Sequence, residues 1–551
     1  MLCWIDKIAY TARMFVRTKP VANSSRKRVQ ICECRRVGNK VKQRVVKHVG
    51  ISTNDSHLEE LKKLAYALKR KMEEEVQPSL FEIPNDFQET PHVAPLKCQE
   101  EPHLLNIKAV KEEKRVVDGI HDIFGTLFNQ LGFHHILKGS LQEVLRDVVL
   151  ARIAYPTSKR ETQQVLAADF GRKIELDRIY RMMDALTEQR DMVKKRVFAA
   201  TEQLCFGAID VLLFDVTTLY FESTEEDELR TFGYSKDQKF HSTQVVLALA
   251  TTPNGLPVGY HLFPGNTADV STLLASLNSW KEVLPIGKVR FVADRAMMSE
   301  KNLQALEEAG IEYVVAAKLR KLPKPIKEQI QRSKESIALD SRLPDSGRRL
   351  IVTFCPHRQS KDASDRERII QKIEKKIGKG KNARKLVSNA GYQKYLSSEG
   401  EARLFLDEEK ITQDTAWDGF HGIVTNCFEM KAEELLSEYR RLWVIEESFR
   451  IQKHNLSLRP IYHFKPQRIE AHILICYMAF ALMRHLEFRV GVQKEKISMR
   501  EIRKELWRVQ SSYFKDNETE RMYRMPSAMS VTSKKIYQVM GIKRSQTVTE
   551  L

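Results

Sequence analysis

The sequence predicts an α/β protein in which a mixed sheet is interrupted by an insertion domain and preceded by an N-terminal β-hairpin region and a helical domain. Two observations carry this. Val211 to Phe221 (VLLFDVTTLYF) is a run of β-branched and aromatic residues broken by one acid, Asp215. A strand so apolar belongs in the middle of a covered sheet. The stretch upstream, Val110 to Gln203, has almost wholly helical spacing, whereas Phe15 to Gly50 alternates apolar and basic residues.

In chain order, the first 13 residues lack the basic head and apolar core of a signal peptide and read as an extension ahead of the pattern that opens at Met14. Phe15 to Gly50 reads as a basic hairpin turning near Asn39, suited to a DNA backbone. Leu58, Leu61, Leu64 and Leu68 have helical spacing. Pro78 to Pro102, with five prolines, reads as a linker. Ser158 caps a predicted helix to Phe170, Gly171 breaks it, and Asp177 caps the next; a helix-turn-helix and an ordinary bundle fit this about equally. Strands follow at Val211, Gln244 (QVVLALATT) and Leu256 (LPVGYHLF), the last two joined by a Pro253-Asn254-Gly255 turn. Asp269 caps a helix, a strand (VRFVA) ends at Asp294, and a helix (SEKNLQALEEAG) and a strand (EYVVAAKL) complete the set. Three antiparallel strands, then helix, strand, helix, strand, is the order of a ribonuclease-H-like sheet.

At 551 residues the chain predicts several domains. The expected divisions are 1–76 (basic hairpin and helix), 77–103 (linker), 104–203 (helical, with DNA binding one reading), 204–320 (catalytic core, first part), 321–420 (basic insertion), 421–490 (core, second part) and 491–551 (basic and helical, its SQTVTEL end unstructured). With 91 Lys plus Arg against 72 acids the net charge is +19, which favours a polyanionic partner, nucleic acid before membrane. The longest apolar run, Ile473 to Leu482, is short of the roughly 20 residues that span a bilayer and reads as a core helix. Eight scattered cysteines suit buried, reduced thiols and a cytoplasmic setting; Cys32 and Cys34 share a strand face without a second pair at zinc-finger spacing.

An unpaired carboxylate inside a covered sheet costs several kcal/mol, so a cation or donor must meet Asp215. Asp294 ends a second apolar strand, and the segment Tyr439 to Lys453 offers Glu446, with Glu447 its understudy. Tyr439, Glu446 and Lys453 are spaced by seven. On one continuous helix seven steps of 100° fall about 20° short of two turns, so the three share a stripe; Leu442 and Phe449 beside it imply that it faces protein. Three carboxylates without histidine or thiol suit two Mg²⁺ ions, with Mn²⁺ able to substitute, and a two-metal site suits phosphodiester chemistry. Asp210 falls on the opposite strand face, Glu225 to Glu228 reads as a solvated turn, and Asp237 as structural. Trp417 reads as a core residue before a base-stacking one. The basic run Lys372 to Lys385 offers Lys376, Lys379, Lys381 and Arg384 to phosphates, against a solvated helix as the plainer reading.

The segment around Glu446 resembles bacterial insertion-sequence transposases of the DDE class, in the group marked by Y-x2-R-x3-E-x6-K. Tyr439, Glu446 and Lys453 match, and Leu442 stands at the arginine position. FGYSKDQK (232 to 239), GNTADVSTL (265 to 273), VADRAMMSEKNLQAL (292 to 306) and DGFHGIVTN (418 to 426) are similar too. The resemblance implies metal-dependent nicking of double-stranded DNA at inverted-repeat ends, then attack of the freed 3′-hydroxyl on target DNA, often through a hairpin end. It implies a homodimer pairing two ends in the bacterial cytosol, Asp215, Asp294 and Glu446 as catalytic metal ligands, and Tyr439 and Lys453 on phosphates, with Arg440 and Arg450 beside them. A nuclease of the same core that does not join, and a DNA-binding protein with a decayed site, are the rival expectations.

Overall fold

The computed structural model describes residues 14–20, 27–37, 40–52, six positions between 58 and 69, and 109–551 except 206–208, 222–224, 234–241, 284–288, 295–298, 378–389, 400–402 and 494–496. The expected extension (1–13) and Pro-rich linker lie outside the described residues. The chain forms two compact units, 1–103 and 104–551.

In the first unit the expected hairpin gains a third strand. β1 (Met14–Pro20), β2 (Lys27–Val37) and β3 (Lys40–Ser52) form an antiparallel meander in that order. Val29 and Ile31 point to one face, where Leu58, Leu61 and Ala65 cover them.

The second unit opens with a strand where helix was expected. β4 (Val110–Val117) pairs with a segment some 400 positions on in sequence, which its own alternation of charged residues gave no reason to anticipate. Helical bundle follows: a π-type turn His121–Gly125, then α1 (Gly139–Ala154), α2 (Lys159–Ala168), α3 (Leu176–Thr187) and α4 (Arg190–Leu204). Ser158 caps α2, its side chain accepting from the Glu161 N–H at 3.2 Å. Asp177 is not a cap: Glu175 holds that position, and Asp177 lies in the first turn, paired to Arg181. Ile179, Met182, Met183 and Leu186 are buried, and α1 and α3 pack on each other and on a long later helix, so the pair is part of a bundle.

The central sheet comprises β5 (Val211–Tyr220), β6 (Gln244–Thr251), β7 (Pro257–Pro264), β8 (Arg290–Ala293), β9 (Glu312–Ala316), β10 (Ile337–Arg342), β11 (Arg349–Phe354) and β14 (Phe420–Thr425), with α5 (Asp269–Val283) between β7 and β8 and α6 (Glu300–Glu308) between β8 and β9. Its order is β10-β11-β14-β9-β8-β5-β6-β7, parallel at β9-β8-β5 and antiparallel outside. The expected strand and turn order is therefore present, including Gly255 at φ +77° in the β6–β7 turn. The hairpin β10–β11, within the stretch read as insertion, extends this sheet, because its apolar Leu350 and Val352 continue the covered surface. The rest of that stretch holds α7 (Lys324–Arg332), α8 (Pro356–Ile377), a two-stranded sheet β12 (Leu396–Glu399) and β13 (Arg403–Leu406), and α9 (Glu408–Thr415).

Strand alternation gives the sheet two distinct faces. Leu212, Phe214, Val216, Phe291 and Ala293 meet Trp280 and Leu277 of α5 and Leu306 of α6. Val211, Leu213, Leu219 and Val292 join the main core, which includes α10 (Ala432–Arg440), α11 (Trp443–Arg450) and α12 (Pro466–Gln493). By length and composition α12 could cross a membrane, but 94% of its apolar window is buried inside the protein, as a core helix requires.

The C-terminal region is not wholly helical. Between α13 (Met499–Trp507) and α14 (Val531–Met540) lie β15 (Gln510–Asp516) and β16 (Met522–Pro526), in a sheet ordered β17-β16-β15-β4. The tail expected to be unstructured supplies β17 (Thr549–Glu550). Arg544 anchors it, reaching Asp118 at 2.7 Å and Asp122 at 3.1 Å. These partners lie too far off in sequence for periodicity to reveal.

Candidate active site

Asp215 interrupts a strand that is otherwise buried from Val211 to Leu219, and is itself only half-buried. Its Oδ1 accepts the Val216 N–H at 2.7 Å. β5 and β8 run parallel with Leu213 opposite Val292 and Phe214 opposite Ala293. One further step of that register sets Asp215 beside Asp294, on strands about 4.8 Å apart. Since Leu213 and Val292 face the main core, the alternation directs Asp215 and Asp294 to that same face, under α11, which packs on β5 and β6. Asp294, just past the strand, is exposed.

The helix expected from Tyr439 to Lys453 is not continuous. α10 ends at Arg440, and the turn at Arg441 and Leu442 closes with i to i+3 bonds, Val444 N–H to Arg441 O and Ile445 N–H to Leu442 O. After α11 comes a π-type turn, Ile451–Asn455, closed by Leu456 N–H to Ile451 O. Steps of 100° therefore do not link Tyr439 to Lys453, and the stripe read from their spacing is corrected. The physical reason lies in the apolar pattern. Leu435, Leu436 and Tyr439 of α10, with Leu442 in the turn after it, pack inward, and on a straight helix Glu446, eleven residues beyond Leu435, would fall within about 20° of that stripe. The tight turn instead lets Val444, Ile445, Ser448 and Phe449 face the core and leaves Glu446 exposed. Glu446 thus does not face protein as expected.

Glu447 is held elsewhere. It lies 3.7 Å from Arg484 of α12, which also pairs with Glu487 at 2.7 Å and donates to the Gly255 carbonyl at 2.9 Å. A Cβ at Gly255 would come within 1.6 Å of that guanidinium. Of the two adjacent glutamates, Glu447 serves the β6–β7 turn and Glu446 is presented to solvent.

His421, on β14 two residues from core-facing Ile423, was not singled out from the sequence, although it sits in the phrase DGFHGIVTN. Its ring lies 5.0 Å from that of Tyr439. Burial first, and then the charges of Arg358 and Arg440, hold its pKa down to about 4, with Asp294 opposing them. The imidazole is therefore neutral at physiological pH and within electrostatic range of Asp294, so that Tyr439, Arg440 and Asp294 gather around one side chain. Lys453 is half-buried in the π-type turn, and Arg450 is exposed on α11. Trp443, 58% exposed, stands one turn before Glu446. Trp417 packs edge-on to Phe420, in the structural role expected of it. Lys379, Lys381 and Arg384 lie outside the described residues, as does the side chain of Lys376.

The donor chemistry, carboxylate oxygens alone on adjacent strands, fits a hard divalent cation. Among the described residues, however, no three His, Cys, Asp or Glu side chains are close enough to hold an ion. The β5–β8 pairing thus ends one residue short of Asp215 and Asp294, and among the described residues the three acids are not gathered into one coordinating group.

A ribonuclease-H-like sheet with one aspartate on β5 and another just past the end of the parallel strand β8 is the arrangement expected of the DDE transposase class. The profile described as "Transposase DDE domain" matches residues 207–482, half of the chain, and the chain belongs to that family. It is therefore a transposase-type enzyme that acts on DNA. No curated protein matches the chain significantly.

Proposed function

We propose that this chain is a DNA transposase that cuts element ends by hydrolysis and joins them to target DNA through the freed 3′-hydroxyl. The observation that supports this reading is the parallel β5–β8 register, whose continuation by one residue would bring Asp215 and Asp294 together on the face covered by α11. Asp215, Asp294 and Glu446 would hold two Mg²⁺ ions, or Mn²⁺ in their place, which supply an activated water and neutralise charge on the leaving oxygen. α11, an eight-residue piece between the tight turn at 441–442 and the π-type turn at 451–455, moves toward the aspartates when DNA is bound. Tyr439, oriented by His421, and Lys453, with Arg440 and Arg450 near, hold phosphates flanking the scissile bond. Water attacks phosphorus and the bond to the 3′-oxygen breaks. That 3′-hydroxyl then attacks a phosphodiester of the target DNA, losing its proton as the new P–O bond forms, while the target's own P–O3′ bond breaks and its 3′-oxygen leaves as a hydroxyl.

The substrate is double-stranded DNA bearing inverted-repeat ends, and two protomers bring two ends together in the bacterial cytosol. Asp215→Ala should lower cleavage of such DNA by at least about a thousandfold, the scale of losing a transition-state contact worth several kcal/mol, and leave DNA binding within about twofold. Cleavage unchanged in that variant would refute the assignment. Pre-cut ends test joining; hydrolysis without strand transfer would make the chain a nuclease. A second reading, a DNA-binding protein with a decayed site, is favoured by Leu442 and by the ungathered acids, and predicts no cleavage by the unaltered chain.

A further inference from the structure

Away from the acids, a cavity of about 580 Å³ opens between the first turn of α2 and the loop Ser457–His463, with α1 and α12 as its walls. Arg152, Lys159, Arg160 and Arg459 line it together with His463 and His472; Glu161 is the one acid among its lining residues. Glu161 is exposed and accepts from the Thr157 hydroxyl.

Two of the cations are almost fully buried, Arg152 at 3% and Lys159 at 4% exposure. Arg152 donates to the Thr157 carbonyl at 2.6 Å and lies 3.5 Å from that of Leu456. Lys159 Nζ lies 3.1 Å from His472 Nδ1. His472 Nε2 faces the Leu458 carbonyl at 3.2 Å, so Nε2 carries the proton and Nδ1 accepts from the lysine. Burial, and after it the charge of Arg152, lowers the pKa of Lys159 well below its ordinary value, so its charge is disfavoured until an anion enters; as an ammonium it has three donors, and this contact uses one. Neither buried cation is in ion-pair contact with a carboxylate among the described residues. Lys159 is also the first residue of α2, where the helix dipole is positive and unsatisfied N–H groups point outward. A buried charge lacking a counter-charge costs several kcal/mol, and the helix terminus adds to that here. Both penalties reverse when an anion enters.

We infer that this cavity is a phosphate-binding pocket, distinct from the carboxylate site, which takes a phosphate group of the bound DNA. Only the source of the phosphate rests on the transposase reading; the pocket's chemistry does not. Lys159 and Arg152 lie inside a concavity, which a terminal phosphomonoester enters more deeply than an internal diester of a duplex. Tyr462, 62% exposed at the lining, is placed to flank the attached nucleoside. The histidines agree with this: burial, and after it Lys159 and Arg152, push His463 down to about 3, and His472 is lowered in the same direction. Both are thus neutral donors or acceptors rather than further unmatched charges.

Inorganic phosphate, a 5′-phosphorylated oligonucleotide and the same oligonucleotide with a 5′-hydroxyl test this on the full chain. Millimolar phosphate should raise the thermal midpoint of the unaltered protein, and Lys159→Met should abolish the rise while leaving the midpoint without phosphate unchanged or higher. The 5′-phosphorylated strand should bind at least tenfold more tightly than the hydroxyl strand, a preference that Lys159→Met removes. Equal binding of the two strands, with both weakened by Lys159→Met, would keep the pocket and assign it an internal phosphate. If Lys159→Met does not fold, Arg160→Ala, an exposed lining residue, should weaken the phosphate response several-fold. No response of the unaltered protein, or a response that survives in both variants, would overturn the inference. Asp215→Ala should keep the phosphate response, so a failed catalytic reading and a failed pocket give different results.

Discussion

Two cavities of nearly equal size show how this molecule treats buried charge. The one inside the insertion, about 590 Å³, is lined by Arg320, Arg366 and Lys394 on one side and Asp414 and Asp418 on the other. Arg366 makes two bonds of 2.6 Å to Asp418, and Asp414 takes Lys394 at 2.6 Å together with Arg320 and the Tyr395 hydroxyl. Every one of those cations meets a carboxylate. In the cavity beside α2, Arg152 and Lys159 meet carbonyls and a histidine instead. The first is a joint held by its own charges, and the second is complete only with an anion from outside. The difference is in the compensation of the buried cations rather than in volume.

The comparison breaks most visibly at the joint. Asp418→Ala strands Arg366 without its bidentate partner and should lower stability by about 3 kcal/mol, measured by denaturant unfolding. If the loss is near zero, the joint is not held by this pair. Arg484 is a second compensated cation, packed against the β6–β7 turn. Gly255→Ala, which needs φ +77° and puts a Cβ against that guanidinium, should cost about 1–3 kcal/mol and shift the thermal midpoint accordingly. Lys159→Met belongs to the opposite class. Removing a buried cation that lacks a counter-charge should leave stability within about 1 kcal/mol of the unaltered protein or raise it, and a large loss would show that Lys159 is structural.

Acid sharpens the contrast with the smallest effect. His463, with an ordinary value of 6.5, is held to about 3 in the folded protein, first by burial. Between those values the unfolded chain binds the extra proton, so this contribution is full above pH 6.5 and declines as pH falls through the window. In Asp414 burial raises the carboxyl, but bonds from Lys394 and Tyr395 and the charge of Arg320 leave it below its ordinary 3.8. Its contribution is present above 3.8 and is lost only at lower pH. Thermal midpoints should therefore fall between pH 7 and pH 5 through the buried histidines, His463 of the pocket together with His261, His421 and His485, and not through the joint, and His463→Gln should remove its share of that fall.

Much of the sheet was legible because each strand carries its own signal. Val211 to Phe221 and the Pro253-Asn254-Gly255 turn are local patterns, and the alternation that buries Leu213 also fixes the face of Asp215. Ser158 was a readable cap for the same reason. The broken helix before Glu446 was hidden by a seven-residue spacing that a straight helix fits well. His421 was hidden because one histidine in a strand carries no period. Strand β4, the β10–β11 extension and β17 depend on partners far away in the chain, as does the pocket, where Lys159 meets His472 across 313 positions.

By itself the sequence determined which segments form the sheet, that an acid interrupts its central strand, and that a second acid ends another apolar strand. Those are properties of neighbouring residues and of a two-residue repeat. Only the tertiary structure decided that β5 and β8 lie side by side in register, that Glu447 is taken by Arg484 while Glu446 is left exposed, and that two cations are buried without an acid. Each of these depends on which distant surface is brought against which, and short-range periodicity holds no record of that.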